Sequence, residues 1–477
     1  MKIRVGVIPA AGEGIRAYPK ATYMSKVMFK IAGKPIIQRN IEIMKDLGIK
    51  EIYVIIGYKG GVIKNFLGDG SKFNVNIKYI YCKNPSIGLA RGLFLAKNYV
   101  NENFLTILGD EVYINSNHQI IKNFDKKNFS AVCGVMKTND SRMISKNYAV
   151  EISKGLIKSL VEKPKDIKND SLGVGTYIFT PKIFEAIEKT SPSKVSGRVE
   201  LTDAINNLAK TEKNVFPIFL EGVYQNINSM EDYNYANYLY RSIFFNKSKI
   251  SVIIPAYNEE SSIARVIKDF IDKVDDVFVV DNSSNDRTKE IALENGARVD
   301  TVCLKGYGDT ITYGLNNSRG DILIVVEADN SFRAKDLDKI LEYMKDADMV
   351  IGTRTTRQMI EQGANMNWFL RWGNVAIGKF VEILWWKQEP RFTDVGCTYR
   401  GIWKDAWYNM RNRIIGKGPE FSPEMMIEAL RSRMRIIEIP VSYYNRYGGE
   451  SKHSAGFKKI KTGLKMIRLI LRKRFLG

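Results

Sequence analysis

Two short apolar runs in this chain lead straight into loops whose residues could hold phosphate. They are Val5-Gly-Val-Ile-Pro-Ala-Ala-Gly-Glu-Gly-Ile-Arg16 and Val252-Ile-Ile-Pro-Ala-Tyr-Asn-Glu-Glu260. In the first loop Gly12 and Gly14 permit positive φ and close backbone approach, and Arg16 offers a forked guanidinium to phosphate oxygens. Downstream of each loop another apolar run ends on acid: Leu105-Thr-Ile-Leu-Gly-Asp110 in the first half, Ile322-Leu-Ile-Val-Val-Glu-Ala-Asp329 in the second. A carboxylate at a strand end can hold a divalent cation against a polyphosphate. The order of phosphate loop and then acid occurs twice, so two sites are expected.

The elements that must position these residues alternate regularly. Val5–Pro9, Glu51–Gly57, Ile77–Tyr81 and Phe104–Leu108 read as strands, with helices at Pro35–Leu47 and Gly88–Tyr99. That rhythm predicts an α/β fold with a mostly parallel sheet, whose ligands gather at the carboxyl ends of the strands. A helix over Ser229–Phe245 closes the first half, and the alternation restarts at Ile250 and runs to Gly352. Beyond Thr353 it gives way to an aromatic, partly helical stretch and a basic tail. The expected domains are 1–247, 248–456 and a tail of 457–477.

The 477 residues exceed one core and suit two domains of about 200–250 residues. No apolar run approaches the ~18 residues of a membrane span, and Met1-Lys-Ile-Arg-Val-Gly enters a strand rather than a signal peptide. A cytoplasmic protein is expected, with peripheral attachment to the inner face of the membrane. Cys82, Cys133, Cys303 and Cys397 show no paired spacing and read as reduced thiols, and the two histidines, His118 and His453, are too few for histidine chemistry. The net charge of +21 is concentrated: residues 446–477 carry ten basic side chains against one acid. No nucleic-acid-binding module accompanies it, so no nucleic-acid partner is expected.

After the first loop come Ser25-Lys26, Gly33-Lys34-Pro35, Gly109-Asp110, Glu162-Lys163-Pro164 and Glu200-Leu-Thr-Asp203. This ordered set resembles the sugar-1-phosphate nucleotidylyltransferases across roughly residues 1–245. The resemblance implies that Gly12, Gly14 and Arg16 hold a nucleoside triphosphate, that Lys26 contacts its phosphates, and that Asp110 binds Mg2+ or Mn2+. It implies a sugar-phosphate contact at Glu162, Lys163 and Gly175. Asn226, in Tyr-Gln-Asn-Ile-Asn-Ser-Met-Glu-Asp232, stands where a second metal aspartate is usual, and asparagine is a legitimate oxygen ligand. Ile15 and Ser25 replace a usual threonine and proline. The reaction implied is in-line attack of a sugar 1-phosphate on the α-phosphorus, which needs alignment and charge neutralisation more than a base.

In the second half, Pro255-Ala-Tyr-Asn-Glu-Glu260, Val279-Val-Asp-Asn-Ser-Ser-Asn-Asp286 and Glu327-Ala-Asp329 resemble the inverting family 2 glycosyltransferases. Asp394-Val-Gly-Cys-Thr-Tyr-Arg400, Glu438-Ile-Pro-Val441 and Arg446 to Lys452 extend the likeness to the branch that makes dolichyl- or polyprenyl-phosphate sugars. Two tandem Rossmann-like, GT-A-type domains are thereby implied. Pro255, Tyr257, Glu259 and Asp281 would bind the nucleotide, and Asp329 with Glu327 would hold the metal. Arg400, Arg446, Ser451 and Lys452 would take an acceptor phosphate. A hydroxyl acceptor would need a base, for which Asp394 or Glu424 is the candidate.

All six tryptophans lie between Trp368 and Trp407, which suits either a membrane interface or a helix core. Phe457, Ile460, Leu464, Ile467, Leu471 and Phe475 recur at three- and four-residue steps among lysines and arginines. That pattern predicts a basic amphipathic helix able to lie on an anionic bilayer or to dock on its own domain. The reading as a whole is a bifunctional enzyme that makes a nucleotide sugar and transfers the sugar to a polyprenyl-type lipid phosphate. A glycan hydroxyl as acceptor, and a first half that only senses nucleotide, are the alternatives.

Overall fold

The computed structural model describes residues 3–476 except 13, 15, 16, 18–23, 58, 195, 363, 365, 367 and 448–455, and the side chains of 369 and 456–460. The chain forms two compact units, Met1–Ala236 and Asn237–Gly477.

The first unit contains β1 (Val5–Ala10), β2 (Glu51–Ile56), β3 (Asn76–Tyr81), β4 (Phe104–Ile107) and β5 (Glu111–Ile114). There follow β6 (Ala131–Lys137), β7 (Tyr148–Ser153), β8 (Leu156–Glu162), β9 (Ser171–Phe179), β10 (Val215–Phe219) and β11 (Val223–Asn226). Its main sheet runs β8-β7-β9-β4-β1-β2-β3, and β6 joins β10 to β9. β4, β1, β2 and β3 are parallel, as the alternation predicts. β9 then pairs antiparallel with β4, β6 and β7. The helix Ile36–Asp46 buries Ile36, Ile37, Asn40, Ile41 and Met44, the spacing of one helical face, and Gly48 at φ 90° follows its end. Gly6 lets that helix close on β1, since a Cβ there would sit 2.6 Å from the Met44 sulfur.

The second unit repeats the scheme with β12 (Ile250–Ala256), β13 (Asp276–Asp281), β14 (Arg298–Thr301), β15 (Ile322–Val325), β16 (Met349–Thr353), β17 (Arg400–Trp403) and β18 (Ile436–Pro440). The sheet order is β14-β13-β12-β15-β17-β16-β18. Helix Ile263–Phe270 covers it through Ile263, Val266, Ile267 and Phe270. β17 and β18 lie in the stretch where the sequence alternation breaks off. β17 is antiparallel to both β15 and β16, so it completes the sheet without a crossover helix to announce it. Trp385, Trp403 and Trp407 are buried in this core, whereas Trp368, Trp372 and Trp386 are exposed. The cysteines are unpaired, with Cys82, Cys133 and Cys397 buried and Cys303 exposed.

A buried polar thread fixes the first unit beside Asp110. Ser116 Oγ meets His118 Nδ1 at 2.7 Å, and His118 Nε2 meets Thr176 Oγ1 at 3.1 Å. Thr176 donates to the Tyr113 hydroxyl, which donates to Glu111 Oε2 at 2.6 Å. Glu111 also accepts from the Gly175 amide at 2.7 Å and the Tyr224 hydroxyl at 2.8 Å. Burial holds His118 down near 4, below its ordinary 6.5. An unfolded histidine takes up a proton between those values and the native one does not, so stability complete above pH 6.5 falls as pH drops toward 4. Urea unfolding from pH 7.5 to 4.5 should show an acid loss of up to about 3 kcal/mol in the wild type that His118→Asn lacks.

Candidate active sites

In the first unit the site lies at the carboxyl ends of β1 and β4. Asp110 follows β4, and its Oδ2 is 2.5 Å from Lys26 Nζ. Gly109 lets the turn close, because a Cβ there would stand 2.8 Å from the Pro9 carbonyl oxygen and from Val27. Gly12 has open space around its Cα, and Gly14 adopts φ 66°. That loop can therefore present backbone to an anion. Arg16 lies outside the described residues.

Asn226 ends β11 opposite Glu111, and the neighbouring Ile227 amide donates to the Asp110 carbonyl at 3.1 Å. Its Nδ2 bonds Asn147 Oδ1 at 3.2 Å, whereas its own Oδ1 is buried with no hydrogen-bond partner among the described residues. A buried acceptor left open beside an aspartate is a donor set that fits a hard divalent cation. Gly175 abuts the same spot: a Cβ on it would fall 2.5 Å from the Glu111 carboxyl carbon. Glu162 closes β8, 3.8 Å from Lys163 Nζ. Burial raises the Glu162 carboxyl against the pull of Lys163, and Glu200 and Asp203 push it further.

Glu111 was absent from the sequence-derived set, although it stands next to Asp110. It ties β9, β5 and β11 together under the metal candidates. Burial raises its carboxyl to about 7, against the Tyr113 bond and with the help of the Asp110 charge.

In the second unit Pro255 and Ala256 lie beside Val280 and Asp281 in register. Asp281 is buried and accepts from the Ser284 amide. Tyr257 is exposed at the rim. Glu259 is held by Ser262 Oγ at 3.1 Å and by Arg446 Nη2, whose Nη1 reaches Asp329 Oδ2 at 3.8 Å. One guanidinium thus bridges the candidate nucleotide loop and the metal candidate. Thr398 donates to Glu327 at 2.9 Å, and burial together with the Asp329 charge lifts Glu327 to about 7. Glu327 and Asp329, two clustered carboxylates at a strand end, fit a divalent cation.

Three other sequence-derived residues are buried and held by partners within the second unit. Arg400 is 2% exposed, and its guanidinium donates to the carbonyls of Cys397, Ser422 and Val395. Glu424 is fully buried and accepts from the amides of Ile415 and Gly416. Asp394 is gripped by Arg354 through bonds of 2.8 and 3.0 Å. Ser451 and Lys452 lie outside the described residues.

The sequence reading also missed a cavity of about 550 Å3 lined by Arg357, Ile360, Glu361, Met366, Trp368 and Arg371. Its wall is tied to the segment leading from β18 to Arg446, since Glu361 accepts from the Asn445 amide and donates its own amide to the Tyr443 carbonyl.

Residues 5–243 match the nucleotidyl transferase family, and residues 251–401 match glycosyl transferase family 2. The chain is 33% identical over 236 residues to the low-salt glycan biosynthesis nucleotidyltransferase Agl11 of Haloferax volcanii, covering 49% of this chain and 65% of that protein. It is 28% identical over 227 residues to a glucose-1-phosphate thymidylyltransferase of Streptomyces antibioticus, covering 47% and 63%. It is 31% identical over 229 residues to the low-salt glycan biosynthesis hexosyltransferase Agl6 of Haloferax volcanii, covering 46% and 53%. The chain thus spans less than two thirds of the length of each of these relatives. It belongs to the nucleotidyl transferase family, and it joins to that domain a second one of glycosyl transferase family 2.

Proposed function

We propose that the first unit makes a nucleotide sugar and that the second transfers its sugar, with inversion, to a polyprenyl-type lipid phosphate at an anionic membrane surface. In the first step a phosphate oxygen of the sugar 1-phosphate attacks the α-phosphorus of a nucleoside triphosphate, and the bond to pyrophosphate breaks. The glycine loop and Lys26 align and neutralise the phosphates, and Glu162, Lys163 and Gly175 seat the sugar phosphate. In the second step an oxygen of the lipid phosphate attacks the anomeric carbon, and the bond to the nucleoside diphosphate breaks. Asp281 orients the base. Mg2+ or Mn2+, held by Asp110 and Asn226 and by Glu327 and Asp329, supplies charge neutralisation of the phosphates when bound.

The observation that carries the lipid-phosphate reading is the cavity with Arg357 and Arg371 beside the segment that leads to Arg446. Two arginines suit a phosphate, and Trp368 at its wall is 74% exposed. A phosphate nucleophile also needs no base. The two carboxylates that could have activated a hydroxyl, Asp394 and Glu424, are already committed to Arg354 and to backbone amides.

Membrane attachment is favoured by what two helices leave uncovered. The outward positions of helix Trp368–Leu384 include Trp372, and Ile383 and Trp386 follow with exposures of 68% and 67%. The helix Gly456–Phe475, which packs on it, exposes Leu464, Leu471 and Phe475 beside Lys461, Lys465, Arg468 and Arg472. Apolar side chains flanked by cations fit the headgroup boundary of an anionic bilayer. No helix among the described residues is long and apolar enough to cross a membrane.

Purified protein with Mg2+, each nucleoside triphosphate and a panel of sugar 1-phosphates should release pyrophosphate for one pairing. Asp110→Ala should lower that rate by about 100-fold or more. Folded wild-type protein that binds a nucleotide without turnover would instead support a sensing domain. With the matching nucleotide sugar and polyprenyl phosphate, Arg371→Ala should raise the acceptor KM about tenfold and leave the donor KM unchanged. The combined change Leu464→Ser, Leu471→Ser and Phe475→Ser should reduce co-sedimentation with phosphatidylglycerol vesicles, and unchanged sedimentation would count against the membrane face.

A further inference from the structure

The Asn226 amide has two faces, and a hard cation can use only the oxygen. What decides the matter is Asn147. This residue joins the end of the helix Ser141–Lys146 to β7, whose first residue, Tyr148, pairs with Glu162 at the end of β8. Asn147 bonds Asn226 through its side chain and Lys163 through its main chain.

The side chain fixes the direction of two amides in turn. Asn147 Nδ2 donates to the Met143 carbonyl at 2.9 Å. A carbonyl can only accept, so the Asn147 nitrogen must lie on that side and its Oδ1 on the other. Asn147 Oδ1 meets Asn226 Nδ2 at 3.2 Å, and an oxygen in that place can receive only a donor. The Tyr224 hydroxyl, 3.4 Å from the same oxygen, donates to Glu111 Oε1 at 2.8 Å. With its nitrogen turned to Asn147, Asn226 keeps its oxygen on the other side, buried and with no hydrogen-bond partner among the described residues. The polarity of the Met143 carbonyl is thus passed through two amides to the acceptor beside Asp110.

An aspartate at position 226 would break this relay. An ionised carboxylate has no donor, so one of its oxygens would face Asn147 Oδ1 with no proton between them. Turning the Asn147 amide over would remove that clash and set up another against the Met143 carbonyl. Each arrangement loses a hydrogen bond and opposes two oxygens.

The main chain of Asn147 acts separately. Its carbonyl accepts from the Lys163 amide at 2.8 Å, and Lys163 has φ 44°, a left-handed conformation that few non-glycine residues adopt. A substitution of the side chain leaves that bond available, so the two contacts can be tested apart.

We propose that Asn147 is a positioning residue of the first site: it sets the Asn226 amide with the oxygen left for the cation, and it makes asparagine the residue that fits at 226. This inference rests on the reading of Asp110 and Asn226 as metal ligands.

The test uses the full chain carrying Asp329→Ala, which removes the contribution of the second unit's metal candidates. Mn2+ alone is titrated, and free Mn2+ is followed by electron paramagnetic resonance. Mn2+ should bind, and adding Asp110→Ala should abolish that binding. If no binding depends on Asp110, the metal reading of the first unit fails and takes this inference with it. Given binding, Asn147→Leu should weaken it about tenfold, as expected when a group that orients a ligand is lost. The deciding measurement is a double-mutant cycle. Asn226→Asp should bind Mn2+ about tenfold more tightly when combined with Asn147→Ser, whose hydroxyl can donate to a carboxylate, than on its own. With Asn226 retained, Asn147→Ser should bring no gain. Asn226→Asp keeps the side-chain volume, so the cycle stands even where Asn147→Leu does not fold. The KM for the sugar 1-phosphate should stay within about twofold throughout, because the backbone holds Lys163. Three results would each overturn the proposal: no coupling in the cycle, wild-type Mn2+ affinity in Asn147→Leu, or a rise in sugar-phosphate KM that matches the loss of Mn2+ affinity.

Discussion

Both units depend on one electrostatic constraint: acids gathered at strand ends need a cation to sit among them. Asp110 stands beside the buried Glu111, and Asp329 stands beside Glu327 and Glu259, so each cluster would repel itself if left bare. In the first unit Lys26 provides the counter-charge, arriving from a segment far from Asp110 in sequence. In the second, Arg446 does so, reaching back across the chain to Glu259 and Asp329. A polyphosphate with its divalent cation meets the same need with a different distribution of charge.

A second layer of buried charge is paired within the protein. Arg354 with Asp394, Arg400 with three carbonyls, Glu438 with the amides of Thr393 and Asp394, and Glu424 with two amides all brace the loops around β16, β17 and the helix Phe421–Arg431. Such groups are costly to bury and costly to unpair, so each makes its loop hard to displace. The loops they brace also carry Thr398, which bonds Glu327.

This layer marks the limit of what the sequence could tell. The strand ends were legible: an apolar run stopping at Asp110, Asp281 or Asp329 announces a carboxylate at the edge of a sheet, and the structure puts each there. The parallel strands were legible for the same reason, because helices between them restart the period each time. The antiparallel strands β6 to β9 and β17 lacked that punctuation. Motif position alone could not separate Arg446, which reaches the acids, from Arg400, which is spent on carbonyls. The difference lies in burial, and burial is decided by segments distant in sequence. Glu111 was hidden by its neighbour: Asp110 lies in the turn after β4, whereas Glu111 opens β5 and is tied inward by the Tyr113 and Tyr224 hydroxyls.

The tail shows how far periodicity reaches and where it stops. Leu464, Leu471 and Phe475 do share one face, as their spacing requires, and on general grounds that apolar face should turn to the core. It turns outward instead, and Met466, Ile470 and Lys473 turn in. The choice follows from what waits underneath. Glu424 and Glu428 are already buried in the helix below, so the inward position opposite them is worth more to an ammonium than to a leucine. With Lys473 committed inward, the 3.6-residue repeat leaves the larger apolar side chains no place except the surface. A soluble partner-free domain would be expected to carry lysine and glutamate there. Leucine and phenylalanine stand there instead, set among arginines and lysines, and the proposed membrane contact rests on that pattern.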